Sequence, residues 1–211
     1  MSQRRFIEAQ QGLPVREVVR QDIYDTKVLP QGGIASLTFF TQPTAGMINS
    51  NMVGQGMLAR PKEFYCLGIA IQVFPGWTAD MDDGITDTWA AYKKKIYEGG
   101  YVYFWVGDKL YTTSPLKRFP EGTGNAGMGT GGEDNNTILF CNGLQDINHY
   151  WETCVHNVGN MKKKPIHIMF QQSFSVVVTW PTQATANPGF GTGLDARIRV
   201  YLRGYLWREV Q

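Results

Sequence analysis

The last stretch of the chain, residues 196–210, alternates between apolar and polar side chains. A period of two predicts a long β-strand with one face in a hydrophobic core. Only Arg208 interrupts the apolar row, which consists of Ile198, Val200, Leu202, Gly204, Leu206 and Val210. Gly204 lacks a side chain where its neighbours have one, which predicts a bulge or a close approach by another backbone.

The polar row of this strand is not the Thr, Ser and Lys row of an ordinary solvated sheet. It is rich in the residue types that are enriched where a surface meets another molecule. We predict that its members are subunit-interface candidates: Arg197, Arg199, Tyr201, Arg203, Tyr205 and Trp207. The alternative is a platform for single-stranded nucleic acid, on which the aromatic rings stack and the arginines contact phosphates.

Other apolar runs predict the remaining strands. Residues 64–74 are apolar on both parities, which indicates a strand buried on both faces. Residues 101–106 and 109–112 flank Gly107 and Asp108 and predict a hairpin. Further strand candidates are residues 34–40, 137–141 and 166–180, the last with Phe174, Val176, Val178 and Trp180 on one face.

One segment has a clear helical pattern. In residues 86–97, Trp89, Tyr92 and Ile96 share one face, and Gly99 with Gly100 ends the helix. The glycine-rich residues 120–136 predict a surface loop.

These elements predict an all-β fold, because strand candidates dominate and only one helix is clear. The expected architecture is an antiparallel two-sheet sandwich, a jelly roll with long loops and one or two short helices. Residues 1–33 predict an N-terminal assembly arm, since their charges nearly cancel and Gly12, Pro14 and Pro30 separate them from the rest. Residues 34–211 then form a single jelly-roll domain.

Composition limits the classes of function. The net charge is only +2, so the overall field does not favour strong attraction to nucleic acid. No apolar run is long enough to span a bilayer, and the first residues lack the apolar region of a secretion signal, which predicts a cytoplasm-like setting. Three cysteines fit no C-x-x-C pattern and are expected to be reduced thiols: Cys66, Cys141 and Cys154.

Candidate chemistry is sparse. Glycines 122, 124 and 127 match G-x-G-x-x-G, but no strand precedes them and no helix follows, so we expect no nucleotide site. Two weak metal candidates are His149 with Glu152 and His156, and the acidic group Asp80, Asp82, Asp83 and Asp87, a weak Ca²⁺ candidate without the spacing of an EF-hand. We therefore predict no catalytic, cofactor-binding or metal residues, and a protein that is not an enzyme.

Three pieces of the chain resemble the jelly-roll capsid proteins of tailless icosahedral bacterial viruses. They are I-Y-D-T-K-V-L-P followed by L-T-F-F-T-Q-P, then F-W-V-G-D-K-L-Y-T-T-S-P-L-K-R-F-P-E-G, and finally R-V-Y-L-R-G-Y-L-W-R-E-V-Q. The resemblance implies a non-enzymatic virion protein, assembled in the host cytoplasm, that forms either the main capsomers or the fivefold vertices.

The expected partners are copies of the chain and other capsid proteins. Since the arm is nearly neutral, we expect no strong direct binding to the genome, and an internal membrane beneath the shell would fit that arrangement. The rival functions are a single-stranded nucleic-acid binder and a glycan-binding β-sandwich.

Overall fold

The computed structural model describes residues 16–30, 33–41, 49–52, 54–75, 96–119, 126–130, 137–141, 165–181 and 196–209. Within these ranges the chain forms two antiparallel sheets and a separate hairpin. Sheet A contains β1 (Arg16–Arg20), β2 (Ile23–Leu29), β4 (Glu63–Pro75), β9 (Ile166–Ile168) and β11 (Ala196–Glu209). Sheet B contains β3 (Ser36–Phe39), β5 (Tyr101–Val106), β6 (Lys109–Pro115) and β10 (Phe174–Thr179). The hairpin pairs β7 (Ala126–Thr130) with β8 (Thr137–Cys141).

The two sheets share one hydrophobic core, as the alternation of apolar residues predicts. Sheet A contributes Ile69, Ile71, Ile198, Val200 and Leu202, and sheet B contributes Phe39, Phe104, Val176 and Val178. All nine side chains are essentially inaccessible to solvent. The prediction of an all-β, antiparallel two-sheet sandwich is confirmed.

The strands pair in a nested order. We treat β1 and β2 as one interrupted strand, because both pair with β11 along the same edge. Leaving the β7–β8 hairpin aside, the first strand then pairs with the last, β3 with β10, β4 with β9 and β5 with β6. Two further pairs, β11 with β4 and β10 with β5, join these four ribbons into the two sheets.

The predicted bulge lies in the middle of β11. Its pairing with β4 shifts between Arg203 and Gly204, so that Leu67 of β4 is an extra residue. The backbones approach so closely there that a Cβ on Gly204 would lie 2.0 Å from the carbonyl oxygen of Tyr65. Both features predicted for Gly204 are therefore present.

Part of the predicted assembly arm belongs to the sandwich. Residues 16–29 form β1 and β2, and Ile23 and Leu29 are buried in the core. The buried carboxylate of Asp25 also accepts a hydrogen bond of 2.8 Å from the backbone N–H of Phe40 at the end of β3. The prediction that this stretch lies outside the subunit's own core is wrong, because its apolar residues pack on β11 of the same chain. Residues 1–15 lie outside the described residues, so an arm there stays a prediction.

Three local predictions need adjustment. The strand β4 is not buried on both faces, since Tyr65 and Gln72 on its outer side are only half-buried, although Ala70 is fully covered. The predicted loop of residues 120–136 contains β7, whose pairing with β8 rests on backbone hydrogen bonds that a side-chain pattern does not reveal. Of the predicted helix, residues 96–99 are helical and the remainder lies outside the described residues.

Candidate functional site

The polar row of β11 lies on the side of sheet A that faces away from sheet B. Because β11 lies between β1–β2 and β4, the row occupies the middle of the sheet. We call this side the arginine–tyrosine face. Its central row is Arg197, Arg199, Tyr201, Arg203, Tyr205 and Trp207, all half-buried except Tyr205, which is 38% exposed. The structure thus brings all six predicted interface candidates together.

The middle of the face is a cage of arginine and tyrosine side chains. The guanidinium of Arg199 lies 5.2 Å from the ring centroid of Tyr24 and 5.9 Å from that of Tyr201, which are cation–π distances. Its Nε donates a hydrogen bond of 2.8 Å to Oγ1 of Thr26. The hydroxyl of Tyr201 donates in turn to Oε1 of Gln72 at 2.9 Å. These contacts hold the arginine and the tyrosine in fixed positions.

An ion pair lies beside this cage, where β1 gives way to β2. Nε of Arg203 is 3.3 Å from Oδ2 of Asp22, and its guanidinium lies 6.0 Å from the ring centroid of Tyr201. Burial raises the pKa of the Asp22 carboxyl above its ordinary value, while the positive charges of Arg203 and Arg20 oppose that rise. The carboxylate is therefore held in a site that costs it hydration.

At one end of the face, aromatic rings pack across three strands. Tyr65 stacks on His167 with ring centroids 4.4 Å apart and planes 6° from parallel, and Trp207 packs against the same tyrosine at 5.5 Å. The carboxylate of Glu63 lies 2.9 Å from Nε2 of His167 and accepts a hydrogen bond of 3.3 Å from Arg16. Glu63 thereby connects β1, β4 and β9.

At the opposite end, Arg197 is only partly satisfied. Its Nη1 donates to Oδ1 of Asn49 at 3.4 Å. Its Nε is buried and has no hydrogen-bond partner among the described residues. The neighbouring residue of β2, Val28, is 45% exposed. This end combines an unused donor with exposed apolar surface.

The charges of the face are mostly positive. The register of the strands places Arg16, Arg20, Arg197, Arg199 and Arg203 on it, against Asp22, Glu63 and Glu209. Five arginines against three acidic residues give the face an excess of two positive charges, as large as the net charge of the whole chain. A surface of this kind is suited to a partner that brings carboxylates or phosphates.

Sequence reasoning missed the flanking residues of the face, namely Asp22, Tyr24, Asn49, Tyr65 and His167. The parity of β2, with Tyr24, Thr26 and Val28 on one side, was a usable signal. The sequence positions of Tyr65 and His167 gave no such signal, because the stacking of these two rings depends on which strands are neighbours in the sheet.

The other candidate sites are only partly covered by the structure. Of the glycine motif only Gly127 is described, within β7. The acidic group Asp80, Asp82, Asp83 and Asp87, and the group His149, Glu152 and His156, lie outside the described residues. Among the residues that are described, no three His, Cys, Asp or Glu side chains are arranged to hold a metal ion. No helix in the same ranges has the length and apolar character needed to cross a membrane.

Comparison of the chain with protein-family models, with curated proteins and with solved structures finds no match in any of the three.

Proposed function

We propose that this chain is a structural virion protein that self-assembles into an icosahedral capsid shell and has no catalytic role. The observation that carries the proposal is the arginine–tyrosine face. Its side chains are held in place by one another, yet they remain half-exposed at the centre of a sheet. Rigid Tyr, Trp and Arg side chains form strong protein contacts, because little conformational entropy is lost when they bind.

The sandwich supports this function if it is a jelly roll, as we infer. A jelly roll results when a ribbon of paired strands folds over so that the first strand pairs with the last and the pairs nest inward. The four nested pairs described above follow that scheme. This architecture recurs in viral capsid proteins, but it also occurs in lectins and cupins.

The capsid-like pieces of the sequence lie in both sheets. The first corresponds to β2 and β3, the second includes most of the β5–β6 hairpin, and the third includes most of β11. They therefore belong to the framework of the sandwich rather than to peripheral loops. We propose the virion as its location, the host cytoplasm as the place of assembly, and copies of itself and other capsid proteins as partners, with an internal membrane as a further candidate.

The arrangement of the rings favours a protein partner over single-stranded nucleic acid. Stacking with bases needs open ring faces. Here His167 covers one face of Tyr65, and Arg199 lies over Tyr24. In the central row, Tyr201 and Trp207 are half-buried, and Tyr205 is the most exposed of the three aromatic side chains.

Electron microscopy and sedimentation of the purified full chain test the proposal. Over a range of protein and salt concentrations, we expect ring-shaped capsomers or closed shells that sediment much faster than a single chain. Circular dichroism of the same sample must show a folded β protein. The proposed function would be contradicted if the folded chain stayed monomeric under all these conditions, both alone and together with proteins that are co-expressed with it.

A further inference from the structure

The positive charge of the arginine–tyrosine face restricts which surface can cover it. Arg197, Arg199 and Arg203 lie along β11, in the middle of the face. If two copies packed these faces together about a twofold axis, the arginine rows would lie against each other. Like charges brought together in an interface are strongly unfavourable. A different surface that carries more carboxylates avoids this repulsion, because the face itself offers only Asp22, Glu63 and Glu209.

The edge of the face adds an apolar requirement. Val18 on β1 and Val28 on β2 are 49% and 45% exposed, and they flank the arginine row on the same side of the sheet. A segment that fits here combines acidic residues with apolar or aromatic ones.

The chain itself contains one such segment. Residues 80–87 carry Asp80, Asp82, Asp83 and Asp87, the densest acidic group in the sequence, with Trp77 and Trp89 on either side. Given the proposed function, we infer that the arginine–tyrosine face of one copy binds the acidic segment of a second copy, residues 80–87.

A contact of this type joins two different surfaces of the same chain. Each copy has one face and one acidic segment, so each copy can bind two neighbours. Such head-to-tail contacts close into rings when the rotation between copies allows it. A capsomer built in this way needs no second protein.

Charge reversal tests this pairing. The face variant carries Arg20→Glu and Arg197→Glu. Arg20 is exposed, and within the described part of the chain Arg197 makes one long hydrogen bond, of 3.4 Å to Asn49. The segment variant carries Asp82→Lys and Asp83→Lys. Each variant alone should associate at least roughly tenfold more weakly than the wild type in sedimentation, because each contact then pairs like charges.

Mixing the two variants separates a contact between copies from one within a copy. In the mixture, the positive segment of the segment variant can bind the negative face of the face variant. The acidic segment of the face variant can likewise bind the arginine face of the segment variant. Association should therefore recover in the mixture, measured by sedimentation with one variant fluorescently labelled. If each segment binds the face of its own chain, mixing restores nothing, and the inference fails.

Matched controls complete the experiment. Lys117→Glu with Arg118→Glu makes the same change of charge at exposed positions on the 3-10 helix Leu116–Arg118, which follows β6. This variant should leave association unchanged. Melting temperatures show whether each variant is folded.

If the wild type assembles and neither charge reversal weakens its association, this inference fails while the proposed function stands. If a labelled oligothymidylate binds the wild type and the face variant loses that binding alone, the face is a nucleic-acid site, and the inference is overturned.

Discussion

Gly204 is the residue on β11 where a side chain is least tolerable. A Cβ there would lie 2.0 Å from the carbonyl oxygen of Tyr65 and 2.9 Å from Cζ of Phe64. Since the first of these atoms belongs to the backbone of β4, relief requires a shift of the whole strand. The bulge opposite Gly204 and the break between β1 and β2 occur at the same level of the sheet, because Gln21 donates its N–H to the carbonyl of Gly204 at 3.3 Å.

Gly204→Ala should lower the free energy of unfolding by about 3 kcal/mol, the upper part of the range for overpacking a core. Denaturant unfolding measures the change. Gly99→Ala is the control, since a Cβ at that position would lie 3.8 Å from the nearest atom, Cδ1 of Trp180, an ordinary contact. Equal effects of the two substitutions would mean that the backbones of β11 and β4 are not as close as described.

Asp22 makes stability depend on pH in a direction opposite to that of most ion-paired carboxylates. Its pKa is raised by burial, so its contribution to stability is complete below the unfolded pKa and is lost as the pH rises through the folded pKa. Asp22→Asn removes that dependence. Relative to the wild type, the melting temperature of the variant should therefore rise as the pH increases from about 3 to about 7. A difference that falls over this range would mean that the attraction of Arg203 outweighs burial.

At the scale of elements, one of the two neighbours of β11 in sheet A consists of two shorter strands, β1 and β2. β1 pairs with the C-terminal half of β11 and β2 with the N-terminal half. On the opposite side β4 pairs along nearly the whole of β11. Removing β1 and β2 would expose one complete edge of the central strand together with the core beneath it.

Deletion of residues 2–29 should unfold the subunit. Loss of the buried side chains of Ile23 and Leu29 alone lowers the free energy of unfolding by about 1.5–3 kcal/mol each. The sum is a large part of the total stability of an ordinary domain. Circular dichroism and thermal melting measure the result. Deletion of residues 2–15 leaves β1 and β2 in place and should keep the melting temperature close to that of the wild type.

The shorter deletion also tests the remaining part of the predicted arm. If residues 1–15 strap neighbouring copies together, the shortened chain should be folded but should no longer form capsomers in sedimentation. Normal assembly of that chain would exclude the arm. A folded chain after the longer deletion would mean that β1 and β2 are dispensable for the core.

At the scale of the whole molecule, charge is distributed unevenly. The net charge of +2 is small, yet the arginine–tyrosine face has an excess of arginines and residues 80–87 an excess of aspartates. In the proposed contact between copies, these opposite charges attract each other even though the chain is nearly neutral overall. A small net charge also gives little general attraction to nucleic acid.

Assembly should weaken as sodium chloride rises from about 0.1 M to about 1 M, because the Debye length falls from about 10 Å to about 3 Å. Sedimentation across that range measures the effect, and an unchanged melting temperature of the isolated subunit shows that folding is not the cause. Stronger assembly at high salt would point instead to an apolar contact between copies.

The sequence alone determined those features that depend on alternation along one strand. It identified the inward and outward rows of β11 and β10, the β5–β6 hairpin, the special position of Gly204 and the six side chains at the centre of the face, since the period of two assigns every residue of a strand to one side. Apart from the β5–β6 hairpin, only the tertiary structure decided which strands are neighbours. The stacking of Tyr65 on His167, the cage around Arg199 and the membership of residues 16–29 in sheet A all follow from pairing between strands far apart in the chain. Alternation contains no information about such pairing, because any apolar row can pack on any other, and the choice depends on how all rows together fill one core.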